Sequence, residues 1–156
     1  MRITIAAVGR LKRGPEQLLV NDYLGRIGPL GRKLALGPAI LTEIDERKAR
    51  TGQQQSAALI AAVAPGAFAI ALDERGEAVS STGFARMLEE LRDRGTPETV
   101  FLIGGADGHD DALRANVGGM ISFGPMVWPH MLARVMLAEQ LYRAISILSG
   151  APYHRE

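Results

Sequence analysis

Apolar positions along this chain fall into short continuous runs and longer periodic stripes, and the two kinds alternate. Residues 2–8, R-I-T-I-A-A-V, form a β-branched and alanine-rich run ended by Gly9. Residues 15–27 repeat at helical spacing, with Leu18, Leu19, Tyr23, Leu24 and Ile27 on a shared stripe. Gly28, Pro29 and Gly31 are expected to break that helix. Residues 33–44 read as a second strand, irregular at Gly37-Pro38 and suited to a sheet edge. Residues 51–63 are an alanine-rich helix stopped by Pro65-Gly66. Residues 67–72 are apolar throughout, as in a strand covered on both faces. A third helix over 80–94 turns Phe84, Met87, Leu88 and Leu91 inward and ends at Gly95. Strand-like runs at 99–103 and 117–123 enclose a brief helix near 110–115. The repeating β-α order predicts an α/β fold, a parallel sheet flanked by helices, in one domain over 1–156.

The last helix is different in kind. From 131 to 148 nearly every turn is apolar on more than one side, interrupted by Arg134, Glu139, Gln140 and Arg143. Such a helix is buried on more than one face, so it is expected to pack on its own sheet and on a second chain. Its three charges argue against a membrane span. Pro129 suits a helix start, Gly150 a C-terminal cap, and Pro152 prevents resumption.

Composition narrows the class. With 47% hydrophobic and 22% charged residues, the chain reads as an ordinary globular protein. It has no cysteine, hence no disulfide framework and no thiolate metal site. The N-terminal run is too short and strand-like for a signal peptide, which points to the cytoplasm. The net charge of +1 hides an asymmetry: residues 1–50 carry ten Lys/Arg against five Asp/Glu. The cations come in groups: Arg10, Lys12 and Arg13; Arg32 and Lys33; Arg47, Lys48 and Arg50. Near strand ends such groups could grip phosphates; composition alone favours solvated loop charge.

Parallel α/β sheets bind ligands at the carboxyl ends of their strands. Three such ends are informative: L-D-E-R-G at 72–76, I-G-G-A-D-G at 103–108, and F-G-P-M-V-W at 123–128. The glycine cluster lets backbone N–H groups approach a ligand, or makes a plain tight turn. Its G-G-x-x-G spacing is not the dinucleotide fingerprint, and it follows the fourth strand and not the first. The 123–128 loop could form an apolar wall with free carbonyls, suited to an adenine ring and a thioether; taken singly, Met126 and Trp128 are better read as core. A zinc reading of His109 with Asp107, Asp110 and Asp111 lacks ligand spacing, so no metal is expected.

I-G-G-A-D-G, then W-P-H-M-L-A-R-V-M-L-A-E-Q-L-Y-R-A-I-S-I-L, then P-Y-H-R-E at the end together resemble the RlmH family. These are small SPOUT-class methyltransferases acting on N3 of a pseudouridine in large-subunit (23S) ribosomal RNA, with S-adenosylmethionine as donor. The similarity spans the chain in length and element order, with its specific motifs in residues 99–156. The resemblance implies a C-terminal trefoil knot, a rare exception to unknotted topology, and a homodimer with the last helix in the interface. It also implies that Leu72, Gly104, Phe123, Gly124, Pro125, Met126, Val127 and Trp128 hold the methyl donor, matching by position within the loop.

Methyl transfer from a sulfonium is an in-line displacement governed by alignment, and the N3 proton must also leave. His130, at a helix start, shares a face with Arg134 at i+4, and the helix dipole would keep it neutral, as a base requires; a structural hydrogen bond is the blander reading. In the tail, Tyr153 could stack on a base, Arg155 bind phosphate and His154 accept the proton if the segment reaches a partner's pocket; otherwise it frays. Arg143 is spaced for a salt bridge with Glu139 and could instead meet RNA. Competing functions are a nucleotide-binding Rossmann-like enzyme and a non-catalytic ribosome-binding dimer.

Overall fold

A computed structural model describes residues 1–154. The elements run β1 (Arg2–Val8), α1 (Pro15–Lys33), β2 (Ala39–Ile44), α2 (Gly52–Ala61), β3 (Phe68–Ala78), α3 (Ser81–Asp93), β4 (Glu98–Ile103), α4 (Asp111–Ala115), β5 (Gly119–Ser122) and α5 (His130–Ser149). All four strand pairings are parallel, in the order β2-β1-β4-β3-β5. Parallel strands need crossovers, and the helices supply them on both faces. Ile3, Ile5 and Ala7 of β1 join Val20, Ile27, Phe84, Leu88, Leu137, Leu141 and Ile145 under α1, α3 and α5. Ala6 and Val8 of the same strand pack with Leu59, Ala71, Leu102 and Leu113 under α2 and α4. The period of two thus feeds two cores from one strand. This is the sheet and the helix layering that the alternating pattern predicts, with β2 at an edge as its Gly37-Pro38 suggests.

Two boundaries differ from the sequence reading. Helix α1 does not break at Gly28-Pro29 but continues to Lys33, and β2 begins only at Ala39. Burial of Val20, Ile27 and Gly31, with Ile145 of α5 beside Gly31, overrides the weak local propensity. That inner stripe also differs: Leu18 and Leu19 face outward, at 71% and 43% exposure. The other helix ends follow local chemistry. Thr51 and Gln54 form a capping box on α2, Ser80 accepts from Gly83 N–H, and Asp110 accepts from Leu113 N–H. Gly150 adopts the left-handed conformation after α5 and donates to the Ile147 carbonyl.

Strand β3 carries the other departure. It runs on to Ala78, well beyond Leu72. Both Leu72 and Glu77 pair with Ile121 of β5, so residues 73–76 loop out between them. Gly76 lies directly on β5: a Cβ there would sit 2.5 Å from the Ile121 carbonyl carbon and 2.6 Å from its nitrogen. No side chain could move to relieve that contact, since both partners are backbone. Gly76→Ala is therefore expected to lower stability by about 1–3 kcal/mol, read as a fall in the urea midpoint at unchanged slope.

Candidate functional site

The carboxyl ends of β3, β4 and β5 enclose a cleft of about 730 Å³. Its floor is the turn after β4. Gly108 N–H donates to the Gly105 carbonyl at 3.1 Å, and a Cβ on Gly104 would lie 2.7 Å from the Gly108 oxygen. The glycine cluster is thus a tight turn, and the same turn lines the cleft. One wall is the loop at 123–129. Gly124 takes a φ of +95° and donates its N–H to Ser122 Oγ at 3.1 Å, while Trp128 Nε1 donates to the Phe123 carbonyl at 3.4 Å. Met126, Val127 and Trp128 are 68%, 91% and 39% exposed. They are not core, which corrects the single-residue reading of Met126 and Trp128: the loop stands off the sheet, and no layer of the described residues buries them. Leu72, Gly104, Phe123, Gly124, Met126, Val127 and Trp128 all line the cleft, and Pro125 belongs to the loop without lining it.

The sequence reading singled out the 72–76 strand end and His109 but not the Arg114 that pairs with Asp73 here. Asp73 is buried, and accepts from Arg75 N–H at 2.9 Å and from Arg114 Nε at 2.9 Å. Burial alone would raise its pKa, but those hydrogen bonds and the Arg114 charge outweigh it and hold the carboxyl below its ordinary value. Arg114 comes from α4, a partner that no local motif announces. His109 is buried at 4% exposure, with Nε2 3.3 Å from the Leu102 carbonyl, and burial chiefly pushes its pKa down. Asp110 caps α4, and Asp111 pairs with Arg114. Among the described residues no group of three or more His, Cys, Asp or Glu side chains is placed to hold a metal.

At the cleft's other end, His130 and Arg134 do come together. Arg134 is fully buried; its Nη2 donates to the Val8 carbonyl and its Nη1 lies 3.5 Å from Glu43 Oε1. Glu43 Oε1 also accepts from Leu11 N–H at 2.6 Å. A Cβ on Gly9 would lie 3.2 Å from Glu46 Oε2, 3.6 Å from Arg134 Nη2 and 3.8 Å from His130 Nε2, so these groups crowd one point. Burial, then the Arg134 charge, lowers the His130 pKa against a smaller opposing pull from Glu46. Desolvation and a neighbouring cation thus favour the neutral imidazole.

The tail residues lie elsewhere. Tyr153 donates to Glu139 Oε1 at 3.0 Å, packs on Tyr142 with ring centroids 4.6 Å apart, and lies under the Arg143 guanidinium at 4.9 Å. Arg143 Nε donates to the same Glu139 oxygen at 2.9 Å, the helical pair that the spacing suggests. Burial is the chief cause that raises the Tyr153 pKa, so the phenol stays protonated. His154 is half-buried, and neither ring nitrogen has a hydrogen-bond partner among the described residues. Arg143, Tyr153 and His154 do not line the cleft of their own chain. Arg155 lies outside the described residues.

The Asp73–Arg114 pair has a pH signature. A carboxyl held low stabilises the fold above its unfolded pKa of about 3.9 and loses that contribution as pH falls through the lower folded value. Asp73→Asn is expected to cost about 1–3 kcal/mol at neutral pH. Its urea midpoint should converge on that of the unmodified protein as pH falls below the ordinary carboxyl value.

Comparison with known proteins agrees with this geometry. The family described as predicted SPOUT methyltransferase matches residues 1–154. The chain is 56% identical to the ribosomal RNA large subunit methyltransferase H of Dinoroseobacter shibae, over 99% of each chain. It is 53% identical to the protein of that name from Maricaulis maris over 100% of both, and 51% to that of Paracoccus denitrificans, again over 100% of both. Full-length identity at this level, on a parallel sheet with its cleft at the carboxyl edge, makes the chain a member of the SPOUT methyltransferase family, among the ribosomal RNA large subunit methyltransferase H proteins.

Proposed function

We propose that this protein is an S-adenosylmethionine-dependent methyltransferase acting on N3 of a pseudouridine in large-subunit ribosomal RNA. The observation that carries the reading is the cleft itself. It joins the tight glycine turn after β4, whose backbone lines the floor, to a standing apolar loop, within the volume range of sites for molecules of this size. Leu72, Gly104 and residues 123–128 suit the donor: the apolar side chains take the adenine face, and free backbone groups take its polar edge. When bound, S-adenosylmethionine supplies a methyl group on a positively charged sulfur. The end of the cleft lined by His130, with Arg134 buried behind it, then faces the acceptor base. His130, kept neutral, can accept the N3 proton, and Arg134 favours the neutral imidazole by its charge.

The same reading takes the protein as a homodimer working on the ribosome in the cytoplasm, with no helix long and apolar enough to cross a membrane among the described residues. Support for the dimer comes from α1 and α5, where the exposed Leu19 lines a groove with Tyr23, Val135 and Met136, and where Leu18 and Leu132 are also exposed. A partner's tail would bring Tyr153, His154, Arg155 and, nearby, Arg143 to the cleft, in place of the self-contact to Glu139. The reading also takes the C-terminal segment as threaded into a trefoil knot.

The test is transfer of labelled methyl from S-adenosylmethionine to large-subunit RNA, with donor binding followed by calorimetry. His130→Gln should cut kcat about a hundredfold or more while donor affinity changes little. Because the His130 pKa is lowered, kcat should hold its plateau as pH falls to about 6.5 and decline only below it. Binding of NAD and not of the donor would end the methyltransferase reading. Donor binding without transfer to any form of the RNA would leave a binding module.

A further inference from the structure

Two loops that the donor cleft does not use meet at its rim. Residues 9–14 follow β1 and carry Arg10, Lys12 and Arg13; residues 45–51 follow β2 and carry Arg47, Lys48 and Arg50. Because β1 and β2 are parallel neighbours, both loops emerge at the carboxyl edge. They are joined there: Asp45 lies 2.8 Å from Arg47 Nη2 and 3.9 Å from Arg10 Nη2. Glu43 reaches from the end of β2 to Leu11 N–H. Six cations thus share one short stretch of edge with three carboxylates, Glu43, Asp45 and Glu46.

The joined loops touch the cleft at two places. Gly9 and Glu46 adjoin His130 Nε2, and Gly52 adjoins the Asp107 side chain, with a Cβ on it 3.7 Å from that of Asp107. Gln55 fixes the second loop from behind, donating to the Ala49 carbonyl at 3.2 Å while standing against Gly105. The capping box at Thr51 and Gln54 holds the same loop at its far end. Cations on a braced backbone lose less freedom on binding than cations on a mobile one.

Along the edge the charge changes sign. Toward β3 and β4 the cleft presents Glu74 and Asp107, and the nearby cations are taken up: Arg114 by Asp73, Arg75 by Asp111. At the β1–β2 end, Lys12, Arg13, Lys48 and Arg50 are exposed and have no carboxylate within 4.0 Å among the described residues. A polyanion is drawn to one end and repelled from the other.

Resting on the methyltransferase reading for the identity of the polyanion, we infer that the loops after β1 and β2 form one phosphate rim, which seats the RNA backbone on the His130 side of the cleft. Lys12, Arg13, Lys48 and Arg50 are its binding groups, and Glu43 and Asp45 are positioning residues that join the loops. The rim sets which way the strand crosses the cleft. The backbone lies over β1 and β2, and the target base turns inward past His130.

The experiment compares naked large-subunit ribosomal RNA binding by the full chain and by K12Q/R13Q/K48Q/R50Q over a range of salt. A control, K33Q/R94Q, removes two cations at helix ends that lead to the opposite edge of the sheet. The four-fold variant should bind RNA at least ten times more weakly at 0.1 M salt. Its log affinity against log salt should be shallower by about 2–3, as three or four fewer phosphate contacts require. Donor affinity and the control's RNA affinity should not move, and KM for RNA should rise while kcat holds. Unchanged RNA affinity and slope in the four-fold variant would overturn the rim, as would an equal loss in the control. Absence of methyl transfer by the unmodified protein would instead count against the methyltransferase reading, and the rim would still be decided by the RNA titration.

Discussion

One buried guanidinium ties the carboxyl edge of this sheet together. Arg134 has no exposed surface; it donates to the Val8 carbonyl at the end of β1 and faces Glu43 at the end of β2. Burying a charge is costly, and such a pair adds little net stability over apolar packing. What it supplies is registry. The first turn of α5 is fixed to two strand ends, so His130 and the loop before it have one position relative to the cleft. The carboxylate that serves Arg134 also serves Leu11 N–H, which places the β1–α1 loop by the same contact.

On the other side of the cleft, backbone approach does the equivalent work. Residues 73–76 are thrown out of β3 and folded onto β5, where only a hydrogen at Gly76 fits against Ile121. That detour delivers Asp73 to Arg114 and leaves Leu72 facing the cleft. The glycine turn after β4 forms the floor between these two constructions. Four strand ends, held by three different kinds of contact, make a site that no single one of them contains.

The two histidines at the cleft differ in what surrounds them. His109 is almost wholly buried and hydrogen-bonded to backbone, so its neutrality serves packing. His130 is also kept neutral, but it lies at the cleft's lining beside a cation and within reach of a ligand. Tyr153 shows a third case, a side chain suited to stacking that is occupied within its own chain by Glu139, Tyr142 and Arg143.

The sequence by itself determined the layer architecture, because alternation of strand and helix periods leaves few ways to bury both faces of a parallel sheet. It also determined the family, through motifs in its last third, and the helix caps at Thr51, Ser80, Asp110 and Gly150, whose chemistry acts within a few residues. Tertiary structure decided the rest, because the decisive partners are far apart in sequence. Pro29 was overridden by packing of α1 on α5, and Met126 and Trp128 were left exposed because no described residue of the chain packs over their loop. Asp73 found Arg114, and Arg134 found Glu43, across distances that no local pattern encodes. The basic groups looked like ordinary solvated charge until parallel pairing of β1 and β2 set them side by side, since strand order is a property of the folded sheet and not of either strand.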